Sequence, residues 1–211
     1  MDRIEPIVSN EPYHIYNRGN NRQRIFHEER DYLAFLKKLD AAAEKHAVSI
    51  VAYAVMPNHY HLLVIQRTGG SVPDMMGALG TSVAKRYNLK YGHIGHVFQG
   101  PYRYSFVATV EGVAEVARYI HLNPVRAKLV KLPEEWRFSS YRLLLESFLE
   151  RGLSAEQGNL QHGHLRSLDP APILAVFGGS VQRYIEFVQQ GIAEEGFLLP
   201  GLDSDEGNLQ L

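Results

Sequence analysis

The 211-residue chain is 45% hydrophobic, carries a formal net charge of −1 and contains no cysteine. Disulfides and thiolate metal sites are therefore excluded, and no apolar run approaches the roughly 18–20 residues that span a bilayer. The charge is unevenly placed: residues 1–131 carry a net +6 and residues 132–211 a net −7, so the front half is suited to a polyanionic partner.

"YHIYNRG" (13–19) reads as a strand that ends at glycine and passes into the loop "NNRQRIF". "EERDYLAFLKKLDAAAEKHA" (28–47) places Leu33, Leu36, Leu39 and Ala43 on one helical face. "VSIVAYAVM" and "YHLLVIQ" form the next two strands, joined by Pro-Asn turn chemistry. Ser71 caps a helix that runs to about Tyr91. A Gly-rich aromatic stretch follows and becomes strand-like from Arg103; residues 109–123 are helical, with Asn123 expected to cap a short helix opening at Pro124. This order predicts an α+β fold: a ferredoxin-like split βαβ sheet with helices packed on it. A polar, Gly-bearing linker or long loop is expected over 152–170, then two short helices around Gly178-Gly179 and an acidic, unstructured tail.

The strand that opens at residue 59 carries chemistry. His59 and His61 are two apart, so their imidazoles share one face. Two neutral imidazoles can hold a divalent cation and leave positions open for substrate oxygens. Taken alone, such a pair is more often a set of hydrogen-bonded core or surface histidines. In "ARYIHLNPVRAKLV", Tyr119 and Asn123 share a helical face, and a phenol beside a Lewis acid can attack phosphorus or a glycosyl carbon.

Three segments in this order, "YHIYNRGNNRQRIF", "MPNHYHLLV" and "GHVFQGPYRYSFV…RYIHLNPVRAKLV", resemble the REP-associated tyrosine transposases. These belong to the histidine–hydrophobe–histidine (HUH) superfamily of single-strand DNA endonucleases. The likeness covers roughly residues 13–145. It implies a transposase/nuclease domain over residues 1–150 and an accessory C-terminal extension with an acidic tail over 151–211. It assigns the nucleophile to Tyr119 and the metal ligands to His59, His61 and Asn123. His121, the rival third ligand, sits two residues from Tyr119 and so faces away on a helix.

The implied cofactor is Mg²⁺ or Mn²⁺. The implied reaction is cleavage and strand transfer of hairpin DNA repeats through a 5′-phosphotyrosine, in a cytoplasmic, nucleoid-associated protein with no membrane contact. Phosphate contacts are expected from Arg18, Arg22, Arg24, Lys85, Arg86, Lys90, Arg103, Arg126 and Lys128, with base stacking on Phe98, Tyr102 and Tyr104. A hairpin-binding module without cleavage and a hydrolase that uses water as nucleophile are the alternatives. Monomer and dimer are both compatible with the sequence.

Overall fold

The computed structural model describes residues 6–152 and 165–193. Strand β1 (Pro12–Arg18) leads to helix α1 (Glu29–Lys45), the hairpin of β2 (Val48–Val55) and β3 (His59–Gln66), helix α2 (Val72–Tyr91) and strand β4 (Arg103–Phe106). Helices α3 (Val110–Arg126), α4 (Ser140–Gly152), α5 (Ala171–Val176) and α6 (Val181–Ala193) follow. The sheet order is β2-β3-β1-β4 and every pairing is antiparallel, the arrangement expected for a split βαβ sheet.

Strand alternation sorts side chains to two faces. Tyr60, Leu62 and Val64 of β3 pack with Phe35 and Leu39 of α1 and Met75 and Leu79 of α2. Leu63 points the other way, into a second core with Ala117, Ile120 and Leu122 of α3. The histidines share the face of Leu63, so the sheet is covered on both sides and the histidine pair looks toward α3. In β2 a bulge between Ile50 and Ala52 turns Val51 and Ala52 to the α3 side together.

One expectation is corrected. The helix expected to end at Asn123 continues through Pro124 to Arg126, so Asn123 lies inside α3 and caps nothing. Pro124 cannot donate to the Ile120 carbonyl, a loss of roughly 3 kcal/mol in a helix interior. Ile120, Leu122 and Pro124 are buried along this turn, and that apolar packing offsets the loss. The end of the expected linker or long loop is held against the sheet. Ile50 N–H donates to the Ser167 carbonyl (2.9 Å), and Asp169 N–H donates to the Ile50 carbonyl (2.8 Å). Asp40 accepts from both the amide (2.9 Å) and the hydroxyl (2.7 Å) of Ser167. Strand β2 is an edge, and its unpaired backbone groups take this segment as a partner.

Helices α5 and α6 place Ile173, Tyr184 and Val188 in the same core as Tyr119 and Ile120. The Gly178-Gly179 turn between them has φ of 64° and 81°, which glycine adopts without strain. The rest of the expected linker and the acidic tail fall outside the described residues.

Candidate active site

Strand β3 supplies the histidines and α3 crosses over them. Tyr119 sets its ring edge-on to His61 (centroids 5.6 Å apart) and to His14 (5.9 Å). One turn later, Asn123 Oδ1 lies 3.3 Å from His59 Nε2. His59 and His61 cross at 88° with centroids 5.1 Å apart. Tyr119, His61, Asn123 and His59 are 1%, 3%, 3% and 6% exposed, so the four groups form one closed cluster. The Arg126 guanidinium lies 5.3 Å from the centre of the Tyr119 ring.

The donor set fits a divalent cation. Asn58 Oδ1 accepts from His59 Nδ1 at 2.6 Å, which leaves the lone pair of the neutral ring on Nε2. That lone pair faces the Asn123 amide oxygen, another acceptor. Two facing acceptors repel unless a proton or a cation lies between them. Among the described residues no three His, Cys, Asp or Glu side chains converge; the set here is two imidazoles and an amide oxygen. Nitrogen ligands favour Mn²⁺ over Mg²⁺.

His121 does face away. Its Nδ1 is 2.6 Å from Tyr184 Oη and its Nε2 2.7 Å from Ser140 Oγ. Burial pushes this imidazole down to about 3, so it is neutral at ordinary pH and serves as a bolt between α3, α4 and α6.

The cationic candidates divide into two groups. Arg18 ends β1 directly opposite His59, and Arg103 pairs with Tyr16, itself the cross-strand partner of His61. Arg22 and Arg24 are exposed in the following turn. That turn lies beside the segment carrying Phe98, through Asn20 N–H to the Val97 carbonyl and Gln99 N–H to the Arg18 carbonyl, both 2.9 Å. With Arg126 near Tyr119 and Lys128 exposed just past α3, these residues border the histidine end of the sheet. Lys85, Arg86 and Lys90 instead sit on α2, across the sheet from the histidines. Lys90 is bound by Asp31 and Glu28, and Arg86 approaches Asp31 at 3.9 Å. Tyr102 and Tyr104 lie together near β4, with ring centroids 6.0 Å apart.

Sequence reasoning missed two neighbours of the histidine pair. His14 is fully buried, stacks on His61 at 15°, and places Nε2 3.0 Å from His61 Nδ1. Alternation in "YHIYNRG" puts His14 and Tyr16 on one face, but only the β1–β3 register shows that this face meets His61. Pro-Asn turn chemistry accounts for Asn58 in the sequence, and its place next to His59 is the signal of a further role.

Among solved structures, the chain is similar to that of a REP-associated tyrosine transposase bound to a REP hairpin. The TM-score is 0.58 at 15% identity, over 78% of this chain and 97% of that one. The two share a fold. A transposase candidate from Deinococcus radiodurans R1 gives a TM-score of 0.40 at 24% identity, over 57% of this chain and 95% of that one. A tRNA(His) guanylyltransferase from Saccharomyces cerevisiae gives 0.40 at 8%, over 94% and 85%. No curated protein sequence matches. The model of the IS200-like transposases matches residues 7–123, more than half of the chain, and the chain belongs to that family. Among the described residues, no helix is long and apolar enough to cross a membrane.

Proposed function

We propose that the protein cleaves and rejoins single-stranded DNA beside a hairpin, with Tyr119 as nucleophile. The observation that carries this reading is the convergence of Tyr119 and Asn123, one helical turn apart, on His61 and His59. The fold likeness to a transposase bound to a REP hairpin supports a hairpin substrate. His59, His61 and Asn123 would hold a divalent cation, which supplies Lewis-acid polarisation of a phosphate oxygen when bound.

The chain's own residues do the rest. Tyr119 loses its phenolic proton and its oxygen bonds to phosphorus. The P–O3′ bond breaks and the departing 3′-oxygen takes up a proton. The products are a 5′-phosphotyrosine and a free 3′-hydroxyl, and attack by a 3′-hydroxyl reverses the step. The covalent bond retains the phosphodiester energy, so no nucleotide cofactor is consumed. Arg126, beside the Tyr119 ring, and Arg18 and Arg103, bordering the histidine face, would neutralise phosphates.

The test is incubation with single-stranded DNA from the flanks of the protein's own gene plus Mn²⁺, followed by denaturing electrophoresis. A protein–DNA adduct that needs Mn²⁺ is the expected product. Hairpin binding without any cut strand would establish a binding module instead. Cleavage without an adduct would make water the nucleophile.

A further inference from the structure

Asn58 sits in the turn just before the histidine pair and is tied down at three atoms. Its backbone carbonyl accepts from Gly19 N–H at 2.7 Å. Its side-chain nitrogen donates to the Arg22 carbonyl at 3.1 Å, and its side-chain oxygen is 2.6 Å from His59 Nδ1. A backbone carbonyl can only accept, so the amide nitrogen must face Arg22 and the amide oxygen must face His59. His59 therefore carries a proton on Nδ1, and in the neutral ring its Nε2 lone pair is directed at Asn123.

The turn held by Asn58 is itself unusual. Asn21 and Arg22 have φ of 50° and 59°, left-handed values that side-chain-bearing residues seldom adopt. Such a conformation persists only where its surroundings enforce it. A Cβ on Gly19 would lie 2.3 Å from the Gln23 carbonyl oxygen, so only glycine closes this turn. The exposed side chains of Arg22 and Arg24 project from it. One amide group thus joins the backbone of an arginine-bearing turn to the orientation of a candidate metal ligand.

We propose that Asn58 is a positioning residue that fixes His59 in its ligating tautomer and couples the arginine turn to it. DNA held by the turn and a cation held by the ligand pair then strengthen each other's binding, by equal factors in the two directions. The inference rests on the functional reading above for what the ligand pair holds. The two arms of the amide can be separated. Asn58→Asp keeps an acceptor for His59 Nδ1–H and loses the donor to Arg22, whereas Asn58→Ala loses both.

The experiment has two readouts. In the metal-free protein, ¹⁵N-histidine NMR reports the tautomer of His59. A single Nδ1–H form is expected in the parent protein and in Asn58→Asp, with a mixture in Asn58→Ala. Calorimetric titration with Mn²⁺, in a Tyr119→Phe background so that no strand is cut, is run with and without a hairpin oligonucleotide bearing a single-stranded flank. Asn58→Ala should bind Mn²⁺ about 10- to 100-fold more weakly, as happens when the partner that orients a metal ligand is removed. In the parent background the hairpin should tighten Mn²⁺ binding by about 5-fold or more, within the range of measured couplings. In Asn58→Asp that gain should vanish while metal affinity without DNA is retained.

An unchanged His59 tautomer with unchanged Mn²⁺ affinity in a folded Asn58→Ala protein would overturn the positioning role. A hairpin-dependent gain that survives in Asn58→Asp, or is missing from the parent, would overturn the coupling. If the parent binds no Mn²⁺ at all, the functional reading fails, and the tautomer measurement still decides what Asn58 does.

Discussion

His14 and His61 meet ring to ring under the tyrosine helix, with Nε2 of the first 3.0 Å from Nδ1 of the second. One of the two must donate, and a donating His61 Nδ1–H leaves its Nε2 lone pair for a metal. His14→Phe keeps the buried ring and removes the bond, whereas His14→Gln can restore a polar partner. Mn²⁺ affinity should fall about 10- to 100-fold in the Phe variant and recover at least partly in the Gln variant. Calorimetric titration checks this, with thermal melting as the control for folding. A Phe variant that binds Mn²⁺ as tightly as the parent would contradict the orienting role.

Tyr119→Phe should abolish the covalent DNA adduct and leave hairpin binding within about twofold, because uniform binding contacts are untouched. The ring contacts to His61 and His14 need no hydroxyl. Denaturing electrophoresis of the reaction reads the adduct, and gel shift of a labelled hairpin reads binding. An adduct formed by the Phe variant would move the nucleophile to another tyrosine. Tyr60 is a poor substitute, since it points to the opposite face of the sheet and packs on Phe35 at 4.9 Å.

Periodicity explains which parts of this arrangement were legible in the sequence. The i, i+2 spacing of His59 and His61 and the i, i+4 spacing of Tyr119 and Asn123 are local, and each fixes a shared face without knowledge of the rest of the chain. The long helix α1 and the β2–β3 hairpin are local in the same sense. What failed depended on distant contacts. Asn123-Pro124 is a good local signal for a new helix, but packing of α3 between the sheet and α5–α6 overrode it. Residues 167–169 look like loop by composition, yet the open edge of β2 draws them into pairing. His14 became part of the site only through strand register, and the division of the basic residues between the two sheet faces required the full topology.

Asp31 ties α1 to α2 and should make this contact acid-sensitive. Burial alone would raise its pKa, but hydrogen bonds from Lys90, the Tyr91 hydroxyl and the amides of His27 and Glu28 outweigh burial and hold the carboxyl below its usual value. A depressed carboxylate binds fewer protons folded than unfolded, so its contribution is fully present above the unfolded value and is lost as pH falls through the folded one. Stability should therefore decline below about pH 4. Asp31→Asn should be less stable at pH 7 by roughly 1–3 kcal/mol, with a shallower decline in acid. Chemical denaturation at pH 7, 4 and 3 measures both. Parallel acid profiles for the two proteins would show that Asp31 does not carry this term.

The C-terminal helices should be indispensable to the fold that presents Tyr119. Tyr184 and Val188 of α6 and Ile173 of α5 are fully buried against α3, and the Arg118 guanidinium stacks 4.2 Å from the centre of the Phe187 ring. Gly191 lets α6 approach closely, since a Cβ there would lie 2.8 Å from Leu122 Cδ1. Removing everything after residue 152 would expose this apolar face of α3 and strip β2 of its partner at Ile50. Such a truncation should show no cooperative melting. Truncation after residue 193 leaves every contact named here in place and should melt near the parent temperature. Tyr184→Phe is a milder probe: it deprives the buried His121 Nδ1 of its 2.6 Å partner, which should cost roughly 1–3 kcal/mol in chemical denaturation. A protein ending at residue 152 that melts cooperatively at the parent temperature would show that α5 and α6 are dispensable and that the front half holds the tyrosine helix unaided.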